Sequence, residues 1–230
     1  MFILPMLGRS SRFFDAGYTV PKYKLDVRGA SLFSRVLSSF LEYFESDKFM
    51  FIVRSDFKDA EWVSVEAQNL GILNFSVIEV DRDTTGQGET VYLATKEMKI
   101  LDEEIYIFNI DTILTNFTKS AVSSDGYLET FLAQGDHWSF AEVDMNDNVI
   151  RTTEKIKISD NCSNGLYYFK SASLYNYYFE KYQNNYEKET YIAPMYNLMI
   201  NDEKVVKVKK ENAEAVLLCG TPDEYLRLKC

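Results

Sequence analysis

The chain has 230 residues, 46% hydrophobic, 26% charged and 15% aromatic, which supplies one sizeable core and rules out a disordered chain. A net charge of −10 argues against nucleic-acid or anionic-membrane partners, and no apolar run approaches the ~20 residues of a membrane span. One histidine, His137, makes histidine metal sites and Ser-His-Asp triads improbable, and three distant cysteines, Cys162, Cys219 and Cys230, read as reduced thiols of a cytoplasmic protein.

Phe2 to Leu7 reads as a buried strand that stops at Gly8; the opening is too short, and too poor in basic residues, for a secretory leader. Residues 8–29 show no periodicity and form a long loop of the kind that usually carries function. This stretch concentrates positive charge: Arg9, Arg12, Lys22, Lys24 and Arg28 face only Asp15 and Asp26. A local anionic ligand or a solvated basic loop would each explain it. Leu32, Val36, Phe40 and Tyr43 give residues 31–45 helical spacing. Strands follow at Phe49 to Val53, Phe75 to Val80 and Ile105 to Ile110, with helices at Asp56 to Leu70 and Glu89 to Met98 between them. This alternation predicts an α/β fold, a mixed and mostly parallel sheet with helices on both faces.

After residue 113 the pattern turns antiparallel. Strands are expected at Tyr127 to Ala133, Trp138 to Asp144, Val149 to Ile158 and Leu166 to Phe169. Helices are expected at Ser171 to Tyr182 and Glu189 to Ile200. Short strands at Val205 to Val208 and Ala215 to Cys219 precede a last helix from Pro222 to Leu228.

Strand, then Gly8-Arg9-Ser10-Ser11-Arg12, is an arrangement that cradles phosphate: small residues let backbone N–H groups approach an anion, and Arg12 can add a charge-assisted contact. No Gly-Lys-Ser/Thr follows, so it is not a P-loop, and a single glycine is not a dinucleotide fingerprint. A tight structural turn would use the same residues.

Six pieces in order resemble the nucleotidyltransferases that activate sugar phosphates. They are Leu4-Pro5-Met6-Leu7-Gly8-Arg9-Ser10-Ser11-Arg12-Phe13 with the later Pro21-Lys22; Thr85-Gly86-Gln87-Gly88-Glu89-Thr90; Asn109-Ile110-Asp111; Trp138-Ser139-Phe140 with Glu154-Lys155; Asn164 to Phe169; and Gly220-Thr221-Pro222. The resemblance implies a Rossmann-like single domain, with a nucleotide-binding half over 1–112 and an antiparallel acceptor-binding half over 113–230. It implies transfer of a nucleoside monophosphate from a nucleoside triphosphate to a phosphorylated small molecule, with pyrophosphate released and Mg²⁺ as cofactor. Compact members also resemble phosphocholine-type cytidylyltransferases. A precursor role in surface polysaccharide synthesis is inherited from the resemblance alone.

Carried onto this chain, Arg12 and Lys22 would be catalytic, and Leu7, Gly8, Arg9, Ser10 and Ser11 would hold the nucleotide with Thr85, Gly86 and Gln87. Glu154, Lys155, Asn164 and Gly165 would bind the acceptor, and Asp111 the metal. Several have a plainer reading: Lys22 a surface lysine, Asp111 a helix cap, Gln87 an exposed turn, Glu154 and Lys155 neighbouring charges on an edge strand. A phosphomonoester is already ionised near neutral pH (second pKa roughly 6), so no general base is required.

Two positions depart from the pattern. Ser10 stands where glycine is usual, so the loop is expected to avoid a strained φ there. Leu218 stands where many members carry a second metal aspartate. Either Asp111 suffices, or Asp223 or Glu214 reaches in, or the chain is a catalytically dead nucleotide-binding subunit. A nucleotide-sugar glycosyltransferase ranks low for want of an Asp-x-Asp pair. Acceptor, base and oligomeric state stay open, a homo-oligomer included.

Overall fold

The structure, a computed structural model, describes residues 1–183 and 189–229. Strand β1 (Phe2–Pro5) is followed by α1 (Ser11–Asp15), a hairpin of β2 (Asp26–Val27) and β3 (Ala30–Ser31), and α2 (Leu32–Leu37). Next come β4 (Lys48–Arg54), α3 (Ala60–Asn69), β5 (Asn74–Val80), α4 (Gln87–Glu97), β6 (Ile105–Ile107) and β7 (Thr112–Leu114). The second half holds β8 (Gly126–Leu132), β9 (Ser139–Val143), β10 (Val149–Glu154), β11 (Asn161–Phe169), α5 (Ala172–Gln183), α6 (Met195–Asn201), β12 (Val206–Lys210), β13 (Val216–Leu218) and α7 (Pro222–Lys229).

Strands β5, β4, β1 and β6 lie side by side and parallel. Beyond β6 the sheet turns antiparallel through β11, which pairs with β9 and β8; β10 flanks β9, and β12 runs parallel to β8. The apolar runs of β1 and β4 fit strands covered on both faces. Their side chains alternate. Phe2, Leu4, Phe49, Phe51 and Val53 face α2 and α3 through Phe33, Val36, Val63 and Ala67. Ile3, Met50 and Ile52 face α4, α5 and α6 through Val91, Ala94, Tyr175, Phe179 and Tyr196. Phe2 is wholly buried among the rings of Phe40, Tyr43, Phe49, Tyr106 and Phe117.

The expected α/β architecture is present, and the departures are local. The helix expected over 31–45 breaks after Leu37 into a 3₁₀ stretch (Ser38–Tyr43) with Phe40 outside helical space. There Ser38 bonds back to the Ser34 carbonyl, and Ser39 accepts the Leu114 N–H. The helix expected from Asp56 starts only at Ala60, because Lys58 takes a left-handed turn. The helix expected from Glu189 starts at Met195: Pro194 disfavours helical geometry at Ala193, and Thr190 is tied instead to the Thr85–Gly88 turn. Strand β6 ends at Ile107, three residues early. Cys162 and Cys219 are buried and unbridged; Cys230 lies outside the described residues. No described helix is long and apolar enough to cross a membrane.

Candidate active site

In parallel sheets, ligands collect beyond the carboxyl ends of the strands. Here β1, flanked by β4 and β6, opens there onto a cavity of about 720 Å³. It takes lining from the β1 loop, the last residue of β4, the start of α4, residues 109–112 after β6, and the antiparallel half.

At the end beneath the β1 loop, Leu7, Gly8, Arg9, Arg12, Lys22 and Asp111 all line the cavity. The Lys22 ammonium donates to Asp111 Oδ2 at 2.5 Å, in a half-buried position 89 residues apart in sequence. Pro21 fixes the entry to the short 3₁₀ turn that carries Lys22, and the Lys22 N–H donates to Ser10 Oγ at 3.1 Å. Ser10 adopts the left-handed φ of +54° that the sequence reading expected the loop to avoid. The loop accepts that geometry because the serine hydroxyl ties it to the Pro21-Lys22 turn. Neither Ser10 nor Ser11 lines the cavity; Ser10 instead caps α1, its carbonyl accepting from Phe13 and Phe14 N–H. The Arg12 guanidinium is exposed on α1.

Below this loop lies a residue the sequence reading overlooked. Arg54, whose side chain is 7% exposed, pairs with Asp56 and with Asp83 at 2.7 Å each, and Asp83 also pairs with Arg9. The contacts with Arg9 and then Arg54 hold the Asp83 carboxyl below the usual carboxylate range. An arginine closing an apolar strand was the available signal, since a buried guanidinium needs carboxylate partners.

Around Asp111, the Cys219 N–H donates to the Asp111 carbonyl at 2.7 Å, and Leu218 pairs with Thr112 across β13 and β7. Burial, helped by the Asp111 carboxylate, pushes the Cys219 thiol up to about 12, so it stays protonated. Leu218 lines the cavity without an oxygen to offer. Asp223 and Glu214, the substitutes considered from sequence, are exposed and outside the lining. Glu224 lines it instead. A Cβ placed on Gly220 would stand 3.2 Å from Asp111 Oδ2 and 3.6 Å from Glu224 Oε2, so both carboxylates border one small volume. Glu224 is aimed by a capping box: it accepts the Thr221 N–H at 2.9 Å while its own N–H donates to Thr221 Oγ1 at 3.3 Å. Thr221-Pro222-Asp223-Glu224 announces that motif in sequence.

At the start of α4, Gly86 and Gln87 line the cavity, and Gln87 Nε2 donates to Asn109 Oδ1 at 2.5 Å. Thr85 does not line it. Its carbonyl accepts the Thr190 N–H at 2.9 Å and its hydroxyl meets that of Thr190 at 3.0 Å. A Cβ on Gly86 would come within 2.6 Å of the Thr190 carbonyl oxygen, so close backbone approach requires glycine here.

At the far end, Glu154, Asn164 and Gly165 line the cavity with Trp138, Tyr167 and Tyr191. Glu154 accepts from Ser139 Oγ, and burial raises its carboxyl above the ordinary value. Lys155 sits outside the lining, more than half exposed; its ammonium donates to Tyr191 Oη at 2.5 Å, and Tyr191 in turn donates to Glu189. The strand turns at Lys155 with φ +57°, which carries the side chain out to the rim. His137 is exposed but borders the cavity. Asn164 is committed inward: its amide donates to Glu129 at 3.0 Å and its oxygen accepts the Leu166 N–H at 3.0 Å.

No protein-family model and no curated protein matches the chain. Among solved structures, the nucleoside-diphosphate-sugar pyrophosphorylase from Vibrio cholerae RC9 is 40% identical, with a TM-score of 0.95 over 100% of this chain and 99% of that one. The inositol-1-phosphate CTP transferase from T. maritima, 14% identical with a TM-score of 0.79 over 99% of this chain and 94% of that one, has the same fold. So does the UDP-glucose pyrophosphorylase from Acinetobacter baumannii, 15% identical with a TM-score of 0.70 over 99% of this chain and 91% of that one. With a full-length relative at 40% identity and the same architecture, the chain belongs to the nucleotide-sugar pyrophosphorylase and sugar-phosphate nucleotidyltransferase family.

Proposed function

We propose that the chain transfers a nucleoside monophosphate from a nucleoside triphosphate to a phosphorylated small molecule. An acceptor phosphate oxygen attacks the α-phosphorus, the bond to the β-phosphate breaks, and pyrophosphate leaves with the electron pair. The observation that carries this reading is the meeting of Lys22 and Asp111 at 2.5 Å in the same cavity that Gly8 and Arg12 border.

Bringing anions together dominates such a barrier, so positioned cations carry the catalysis. Gly8 would let the loop approach the triphosphate, Arg12 would clamp it, and Lys22 would offset charge on the reacting phosphates. Gln87, braced by Asn109, would read the base with its remaining donor and acceptor. Asp111 and Glu224 offer hard oxygen donors around one volume, a set that suits Mg²⁺, which is held by one or two carboxylates and by substrate phosphates. Bound there, Mg²⁺ would supply charge neutralisation at the phosphates.

At the acceptor end, the carboxylates of Glu154 and Glu189 stand among Trp138, Tyr167 and Tyr191, and no lysine or arginine lines that end among the described residues. This composition favours an acceptor whose distal part is hydroxylated or cationic. It supports a sugar phosphate or, as the second reading, a CTP-dependent reaction on a phosphorylated amino compound. Either product is an activated precursor suited to surface polysaccharide synthesis.

The test is pyrophosphate release from each of the four common nucleoside triphosphates, offered with Mg²⁺ and a panel of hexose phosphates and phosphorylated amines. Release with one pair is expected. Nucleotide binding with no release across the panel would overturn the enzyme reading in favour of a binding subunit.

A further inference from the structure

Strands β8 and β11 pair regularly at both ends but not between. Ser163 faces Thr130 and Tyr167 faces Leu128, so Asn164, Gly165 and Leu166 all stand opposite the single residue Glu129. The surplus residues form a bulge, and bulges re-aim side chains at the ends of sheets and beside sites. This one delivers Asn164 and Gly165 to the cavity lining. Gly165 has φ +92°, and a Cβ there would fall 2.3 Å from Asn109 Nδ2, the same carboxamide whose oxygen takes the bond from Gln87.

Glu129 is 0% exposed in the middle of this sheet. One carboxylate oxygen accepts from Asn164 Nδ2 at 3.0 Å and the other from Lys209 Nζ at 2.7 Å, Lys209 being its register partner on β12. Lys209 is held in turn by Glu211 at 2.8 Å and the Thr118 carbonyl at 2.6 Å. A buried ion pair adds little net stability over an apolar replacement, so stability alone does not account for this one. What distinguishes it is position: Glu129 and Lys209 hold Asn164 of the bulge without themselves lining the cavity.

We propose that Glu129, anchored by Lys209, is a positioning residue for acceptor binding, fixing the Asn164–Gly165 bulge and, through Asn109, its alignment with Gln87. The inference rests on the transferase reading above for its kinetic readout, though not for its structural one. Asn164 and Lys209 both donate, so Glu129 must accept twice. Glutamine in its place has one oxygen and cannot serve both.

The test compares Glu129→Gln, Lys209→Met and the double variant in steady-state kinetics and by crystallography. Glu129→Gln is expected to raise the acceptor KM by about 10- to 100-fold, the scale of an ångström-sized misplacement, with the nucleotide KM within about threefold of wild type. The double variant, where the glutamine oxygen can serve Asn164 with no ammonium competing for it, is expected to return toward wild type. Should Glu129→Gln not fold, Lys209→Met against the double variant makes the same comparison. An unchanged acceptor KM in the single variants, or a fall in kcat that merely follows melting temperature, overturns the proposal. If the wild-type enzyme releases no pyrophosphate, the transferase reading fails. The positioning claim is then decided by the crystals: a displaced bulge in Glu129→Gln supports it, and an unmoved one ends it.

Discussion

Lys22 and Asp111 form a half-buried pair in which each side chain keeps about a fifth of its exposure, so their attraction is partly screened. Losing it costs the fold about 0–1 kcal/mol, whereas losing a cation aimed at reacting phosphates costs about 10²–10³ in rate. Lys22→Ala should therefore leave the melting temperature nearly unchanged and drop pyrophosphate release by that factor; a large loss of stability with residual activity intact would assign Lys22 to structure. Ser10 allows a separate test. Its left-handed backbone disfavours any side chain with a Cβ, and only its hydroxyl offsets this by holding the Lys22 N–H. Ser10→Ala keeps the strain and loses the bond, and should destabilise by about 1 kcal/mol in urea titrations. Ser10→Gly loses the bond and the strain together and should fall closer to wild type.

The turn before α4 and the segment around Thr190 act as one unit. Thr190 exchanges backbone bonds with Thr85 and Gly88, and Gly86 leaves room for its carbonyl. Gly86→Ala would drive a Cβ to 2.6 Å from that oxygen, so the turn and the Thr190 segment must separate. Hydrogen exchange should show lost protection at both places, with stability lower by about 1–3 kcal/mol; loss confined to one of them would mean that the two are not coupled. The same coupling marks the limit of what could be read from sequence. Strands β1, β4, β5 and β6 were legible because their alternation is a local property, and the placing of Gly8, Lys22 and Asp111 at one cavity because a loop after a strand is one too. Thr85, Lys155, Ser10 and Ser11 lie outside the cavity lining, and Arg54 and Tyr191 border it without a local signal strong enough to single them out, because their placement depends on partners distant in sequence. Leu218 was noticed as a deficit, but the carboxylate nearby, Glu224, arrives through a helix cap one turn later.

The molecule sets two apolar layers against one sheet; among the described residues Asp59, bonded to Tyr23 and Lys24, and Glu129 in the sheet are the buried carboxylates, and Glu154 is half-buried at the pocket wall. Burial makes the native state hold the Glu154 proton more tightly than the unfolded chain does, where the carboxyl titrates near about 4.3. This group therefore favours folding below that value, and its contribution is lost as pH rises through the raised native value. Glu154→Gln removes the dependence, so its melting temperature relative to wild type should climb as pH rises above about 4.3; a flat difference would mean that the carboxyl is not the buried titrating group. The pocket is also closed by segments from opposite ends of the numbering. Cys219 holds the Asp111 carbonyl, Gly220 leans on its carboxylate, and Tyr225 Oη donates to the Asp26 carbonyl at 2.9 Å. A nascent chain therefore cannot complete this wall of the cavity until residues near 225 have emerged from the ribosome. A chain cut before that point should lose the wall behind Asp111 and, on the proposed function, bind a labelled triphosphate more weakly than the full chain.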